Sequence, residues 1–180
     1  MSQGKPFPLQ GHRVINFGWV FAGPYLSSML GDLGAEVIKV ETRSRVDSMR
    51  LSPDNLDRDP DRDPWFHSGV RNQLSVTLDM AKTQAIPIIK DLIKISDVVV
   101  ENFSPRVMSA HGLDYDNLVK IKPDIIMISL PAAGQYGPLR DAQTYGPSRT
   151  GLAGVDNMVG YYGESVLGLQ QAYADINSSL

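Results

Sequence analysis

Residues 14–41, VINFGWVFAGPYLSSMLGDLGAEVIKVE, constrain this chain more than any other stretch. Residues 14–17 are a short apolar run and read as a buried strand. Residues 18–22 leave that strand. Gly23-Pro24 then marks a helix start, with the proline in the first turn, where its missing N–H costs nothing. Tyr25, Leu26, Met29, Leu30 and Leu33 fall on one face at helical spacing. Gly34 sits just past the last periodic residue, where glycine closes a helix most cheaply. Val37, Ile38 and Val40 make a second strand. Strand, helix and strand form the minimal right-handed parallel unit. The loop between Phe17 and Gly23 therefore lies at the carboxyl end of a strand, where open α/β sheets bind their ligands.

The rest of the chain continues that alternation. Residues 42–64 carry Arg43, Arg45, Arg50, Arg58 and Arg62 among many aspartates and read as a long, irregular surface loop with one helical turn, its charges solvated. Trp65 and Phe66 re-anchor the chain. Residues 74–78 alternate apolar and polar and predict a third strand. Residues 83–95 predict a helix with Ile86, Ile89, Leu92 and Ile93 inward and Pro87 tolerated near its start. Residues 97–101 read as a strand buried on both faces. Ser104 is placed to cap a short helix opened by Pro105, and Asp114 starts another that ends near Lys122-Pro123. Residues 125–130, IIMISL, are a fifth and most hydrophobic strand. A loop punctuated by glycine and proline follows over 131–147, then a weakly helical 150–158, a turn at 160–163 and a last helix within 170–180. The expected fold is α/β, a Rossmann-like parallel sheet with helices on both faces.

Composition narrows the function classes. The chain has 180 residues, enough for one α/β domain with a real core. A net charge of −3 gives no reason to expect a nucleic-acid surface. There is no cysteine, which removes disulfides and thiol chemistry. No apolar run approaches the roughly 20 residues of a membrane span, and the start lacks a signal-peptide core. The expectation is a cytoplasmic chain with no membrane association. His12, His67 and His111 lack metal-ligand spacing, so no metal is expected. No GxGxxG follows the first strand, and there is neither a P-loop nor a GxSxG elbow. Spacing alone selects no general base from the 20 acidic residues.

Longer segments discriminate where short motifs do not. The run VFAGPYLSSMLGDLGAEVIKVE, then LSVTLDM, then DVVVENFSPRVM with HGLDYDNL, then the GQYGPLRD loop, resembles the family III CoA-transferases in the same order along the chain. That family includes formyl-CoA and carnitine CoA-transferases and the related α-methylacyl-CoA racemases. The likeness runs from about residue 13 to residue 180 and covers only the first part of a family chain. Residues 1–180 would then be an incomplete CoA-binding domain, lacking the family's small domain, that is, the N-terminal part of a larger fold.

The resemblance implies roles for particular residues. Val20, Phe21 and Ala22 match the segment that cradles the adenine end of coenzyme A, and Asn102, Phe103 and Leu78 match contacts to the same ligand. Arg43 and Arg106 stand near positions where the family carries phosphate-binding cations. Asp175, within AYADINSSL, matches the aspartate that attacks an acyl-CoA thioester. A helix start beside Asp175 is expected to hold its carboxylate ionised. By itself Asn102 is an ordinary turn residue and Asp175 an ordinary helix-cap aspartate; only the family context assigns them more.

Departures from the family pattern are visible too. Thr42 stands where many members have arginine, with Arg43 one step later. Gln73-Leu74 replaces a basic pair, with Arg71 upstream. Ala81 and Ala110 stand at two further basic positions, with Lys82 and Arg106 nearby. Three readings follow. The first is a CoA-transferase moving CoA between an acyl-CoA and a carboxylic acid through an aspartyl intermediate. The second is an acyl-CoA racemase, which in the family needs a His-Asp dipeptide that residues 141–145, DAQTY, lack. The third is a non-catalytic CoA-binding fragment or partner subunit. Association through the apolar surface of the last helices, as a homodimer or with a completing chain, is expected under each.

Overall fold

The computed structural model describes residues 6–169 and 172–180. Five strands, β1 (Arg13–Asn16), β2 (Glu36–Glu41), β3 (Gln73–Thr77), β4 (Val98–Glu101) and β5 (Ile126–Ser129), form one sheet in the order β3-β2-β1-β4-β5. Every neighbouring pair is parallel. Ile15 lies opposite Ile38 on one side and Val99 on the other, and Val14 opposite Val37 and Val98. Because side chains alternate along a strand, this register sorts the core into two clusters. Ile15, Val40 and Val99 meet Ile89 and Ile93 of α3 (Ala85–Lys94), Met108 of α4 (Arg106–Ala110) and Leu118 of α5 (Tyr115–Ile121). Val14, Val37 and Val100 on the opposite face meet Leu26 and Leu30 of α1 (Ala22–Asp32). The expected sheet with helices on both faces is present.

Details depart from expectation for identifiable reasons. The fully buried positions of α1 are Ala22, Gly23, Pro24, Ser27 and Ser28, while Leu26 and Leu30 are only partly buried and Leu33 is exposed. A polar layer sits under the helix and leaves room only for small residues. Asn16 donates through Nδ2 to Oε1 of Gln73 at 2.9 Å, the Gln73 amide donates to the Pro24 carbonyl at 2.8 Å, and Ser28 donates to the Gly69 carbonyl at 3.0 Å. Ser104 does not cap α4; Pro105 holds the cap position with no side-chain bond. β5 is an edge strand, so Ile126 is exposed despite the apolar run, and Leu74 on the other edge strand is exposed likewise. The long loop after β2 contains two 3₁₀ turns, Ser48–Leu51 and Pro60–Arg62, followed by α2 (Pro64–Gly69), which Asp63 caps through bonds from Trp65 and Phe66. Its charges are only partly solvated: Asp47 and Asp63 are buried. Arg50 forms a two-pronged pair with Glu41 while lying over the Phe66 ring.

The C-terminal segment holds α6 (Gly146–Leu152), a 3₁₀ turn (Asp156–Met158) and α7 (Tyr173–Ser179), so helix begins earlier than the expected residue 150. Gln170 and Gln171 of the expected last helix, and residues 1–5 of the leader, lie outside the described residues. Among those described, no helix is long and apolar enough to cross a membrane.

Gly34 closes α1 at φ +101°, and a Cβ there would overlap that of Phe7. Gly34→Ala is therefore expected to destabilise the fold by at least about 1 kcal/mol, read as a lower urea midpoint. An unchanged midpoint would contradict this account of the turn.

Candidate functional site

The chain order along the sheet reverses between β1 and β4, so the loops that follow these strands splay apart and leave a crevice. Three polar side chains shape the loop after β1. Lys39 is 1% exposed and donates from Nζ to the Gly18 carbonyl at 2.7 Å, with the Asp47 carboxylate 3.5 Å away. Asp47, also buried, accepts from the backbone N–H of Val20 at 3.1 Å and of Met49 at 3.0 Å. Asn102, at the end of β4, accepts from the Trp19 N–H at 2.8 Å and donates to the Trp19 carbonyl at 2.7 Å. Val20 is thereby held at φ +61°, a left-handed conformation rare for a β-branched residue. Burial pulls the Lys39 ammonium below its ordinary pKa, against the opposing pull of Asp47 and Glu41.

Below this loop lies a cleft of about 650 Å³, within the range of small-molecule sites. Of the residues singled out by sequence, it brings together Val20, Leu78, Asn102, Phe103 and Asp175. The other four stand outside its lining. Phe21 stacks on Tyr25 with ring centroids 5.5 Å apart. Ala22 is buried at the start of α1. Arg43 is exposed, and Arg106 is exposed in a 3.0 Å pair with Asp141. Cations reach the cleft from unexpected positions instead: Arg45, over the Trp19 ring at 5.0 Å, with Arg140 and Arg149. His111 also lines it. Lys39 could have been noticed in the sequence, since a lone cation inside the apolar strand EVIKVE must be buried against a partner. Arg149 gave no such signal, because only packing carries α6 to the crevice. Among the described residues no cluster of three or more His, Cys, Asp or Glu could hold a metal.

Asp175 occupies the first turn of α7, which packs on both α6 and α1. The Ser179 hydroxyl lies 2.7 Å from the Asp175 carbonyl and 2.9 Å from that of Ala22, so it ties α7 to the α1 start. Gly146 lets α6 approach closely: a Cβ there would come within 2.5 Å of Asp175 Oδ2. The backbone N–H of Asp175 at the helix start favours the ionised carboxylate, but it does not outweigh burial. Burial pushes its pKa above the ordinary 3.8, only partly countered by the nearby Arg149 guanidinium. A half-buried carboxylate at the wall of an apolar cleft lined by three arginines is suited to meet an anionic, partly apolar substrate.

The profile of CoA-transferase family III matches residues 9–180. The chain belongs to that family. Among family III relatives, succinyl-CoA–D-citramalate CoA-transferase of Chloroflexus aurantiacus is 35% identical over 160 residues, 89% of this chain and 39% of the relative. The alpha subunit of succinyl-CoA–L-malate CoA-transferase from the same organism is 35% identical over 161 residues, 89% of this chain and 37% of the relative. A solved CAIB/BAIF family protein from Brucella suis superposes with a TM-score of 0.88 at 32% identity, covering 96% of this chain and 46% of that one. The chain thus spans about two fifths of the length of the curated relatives it matches.

Two measurements test this geometry. Asp47→Ala leaves Lys39 buried without its counter-charge, and a loss of about 3 kcal/mol is expected in urea unfolding; the double variant K39M/D47L should lose less than either single variant, because no unpaired charge remains. For Asp175, the raised folded-state pKa means that ionisation costs stability once pH exceeds about the ordinary value. Asp175→Asn should therefore melt above the parent at pH 7, with the difference shrinking to nothing below pH 3.8. A variant that melts lower at pH 7 would overturn the burial argument.

Proposed function

We propose that this chain is the CoA-binding portion of a transferase that moves CoA between an acyl-CoA and a carboxylic acid, with Asp175 as nucleophile. The observation that carries the reading is that Asp175, remote in sequence from β1 and β4, opens into the same cleft as Val20 and Asn102. In the proposed reaction the Asp175 carboxylate attacks the thioester carbonyl, forming a mixed anhydride and releasing CoA thiolate. The thiolate then attacks the aspartyl carbonyl, giving an aspartyl-CoA thioester and the donor's free carboxylate. The acceptor carboxylate attacks that thioester, and the returning thiolate completes the new acyl-CoA, so each step exchanges one acyl bond for another.

The residues present support these roles. Leu78, Phe103 and Val20 offer apolar wall to the acyl-pantetheine arm, and the clamped Trp19 backbone fixes the loop that would lie along the nucleotide. Arg45 and Arg140 supply charge for the phosphates, where Arg43 and Arg106 were expected. The raised pKa of Asp175 makes its carboxylate more basic, which suits it as the attacking nucleophile. The two Chloroflexus transferases named above carry succinyl-CoA in their names, and we carry it to this chain as donor. One of them is an alpha subunit, and we extend to this chain an assembly with a second polypeptide or a second copy, in the cytoplasm. Racemisation is a weaker reading, because no histidine occurs in residues 141–145.

Incubation of the chain with succinyl-CoA, followed by hydroxylamine or borohydride, is expected to modify Asp175 and no other carboxylate, as read by peptide mass spectrometry. Asp175→Ala should abolish labelling while retaining CoA binding within about threefold. CoA binding with Asp175 unmodified would reduce the chain to a binding module; α-proton exchange without modification would favour racemisation.

A further inference from the structure

Three arginines line the cleft, and their partners differ. Arg45 lies over Trp19 and Arg140 faces Asp141 at 3.7 Å. The Arg149 side chain makes no hydrogen bond, ion pair or ring contact among the described residues, although the residue is only partly exposed. It stands one turn beyond Gly146 on α6, and residues three apart share a helix face. That is the face on which Gly146 touches Asp175 Oδ2. Thr144, just before α6, also lines the cleft, and its buried hydroxyl has no partner among the described residues. A guanidinium that feels the Asp175 charge but makes no hydrogen bond or ion pair, and a hydroxyl without a partner, leave unused donors on the wall where an acyl group would sit.

We infer that Arg149, assisted by Thr144, forms the subsite that reads the second carboxylate of a dicarboxylic acyl group. This rests on the transferase reading above and adds the residues that would select the succinyl donor carried there. Charge bookkeeping across the reaction fits it. While Asp175 is free, its carboxylate is the anion whose field Arg149 balances. Once Asp175 is converted to anhydride or thioester it is neutral, and the cation faces a cleft with one negative charge fewer. A dicarboxylic acid brings two: one to attack the aspartyl carbonyl and one for the guanidinium. A monocarboxylic acid leaves the cation unmatched after its single carboxylate reacts. Arginine suits this task because its planar fork binds a carboxylate through two parallel N–H donors.

The test compares two donors of equal length, succinyl-CoA and butyryl-CoA, in which a methyl group replaces the distal carboxylate. The readout is the concentration giving half-maximal hydroxylamine-trapped label at Asp175, for the parent chain and for Arg149→Leu, Arg149→Lys and Thr144→Val. The parent should favour succinyl-CoA by about tenfold or more, the scale of one charge-assisted contact. In Arg149→Leu the succinyl-to-butyryl ratio should fall to about one, Arg149→Lys should keep only part of it because an ammonium lacks the planar fork, and Thr144→Val should lower it severalfold. The ratio cancels any general effect of Arg149 on the reactivity of Asp175. Equal use of both donors by the parent, or a ratio untouched by Arg149→Leu, would overturn the subsite and leave the transferase reading standing. No label from either donor at concentrations where CoA binds would overturn both.

Discussion

The functional half of this structure depends on one buried cation. Lys39 points from the middle of β2 beneath the loop after β1, donates to the Gly18 carbonyl and sits beside Asp47. An ammonium removed from water is costly unless its donors are matched. The arrangement persists because the carboxylate that balances it also accepts the Val20 and Met49 N–H groups. One ion pair therefore joins the second strand, the first loop and the start of the long charged loop. Asn102 adds a second bracket from β4, clasping both polar groups of the Trp19 peptide backbone. The left-handed Val20 is the strained product of these two restraints, and it faces the cleft.

This places the cleft on a rigid edge and leaves variation to the elements that reach it. β1 and β4 fix where the crevice opens, since strand order reverses between them. α6 and α7 arrive from more than 40 residues beyond β4 and bring Asp175 and Arg149 to the same wall. Their closeness rests on small residues: Gly146 against the Asp175 carboxylate, and Ser179 between the α1 and α7 backbones. Burial raises the proton affinity of Asp175 while Arg149 opposes it. The balance leaves a carboxylate more basic than an ordinary aspartate.

Strand and helix types were legible because their periodicity reports burial directly. Ile89 and Ile93 are fully buried where helical spacing put them, and Val99 and Val100 face opposite clusters as an unbroken valine run requires. Legibility failed where polar residues pack. Gln73 reads as the loss of a basic residue, yet its amide completes a buried network with Asn16 and Pro24 that no lysine could make with the same donor and acceptor pattern. Arg50 reads as one more charge in a solvated loop, yet Glu41 and the Phe66 ring enclose it. The last strand's hydrophobicity concealed its place at the sheet edge, because composition does not specify neighbours.

By itself the sequence determined the parallel α/β alternation, pointed to the carboxyl edge after the first and fourth strands where the cleft lies, and through long ordered segments identified the family. These are properties of local pattern, and local pattern survives in one dimension. Only the tertiary structure decided which cations face the cleft, that Asn102 and Asp47 are spent on holding backbone, and that Arg149 stands with Asp175. Those outcomes depend on how distant elements pack, and the direction a side chain takes at a loop or a short helix is set by its neighbours in space.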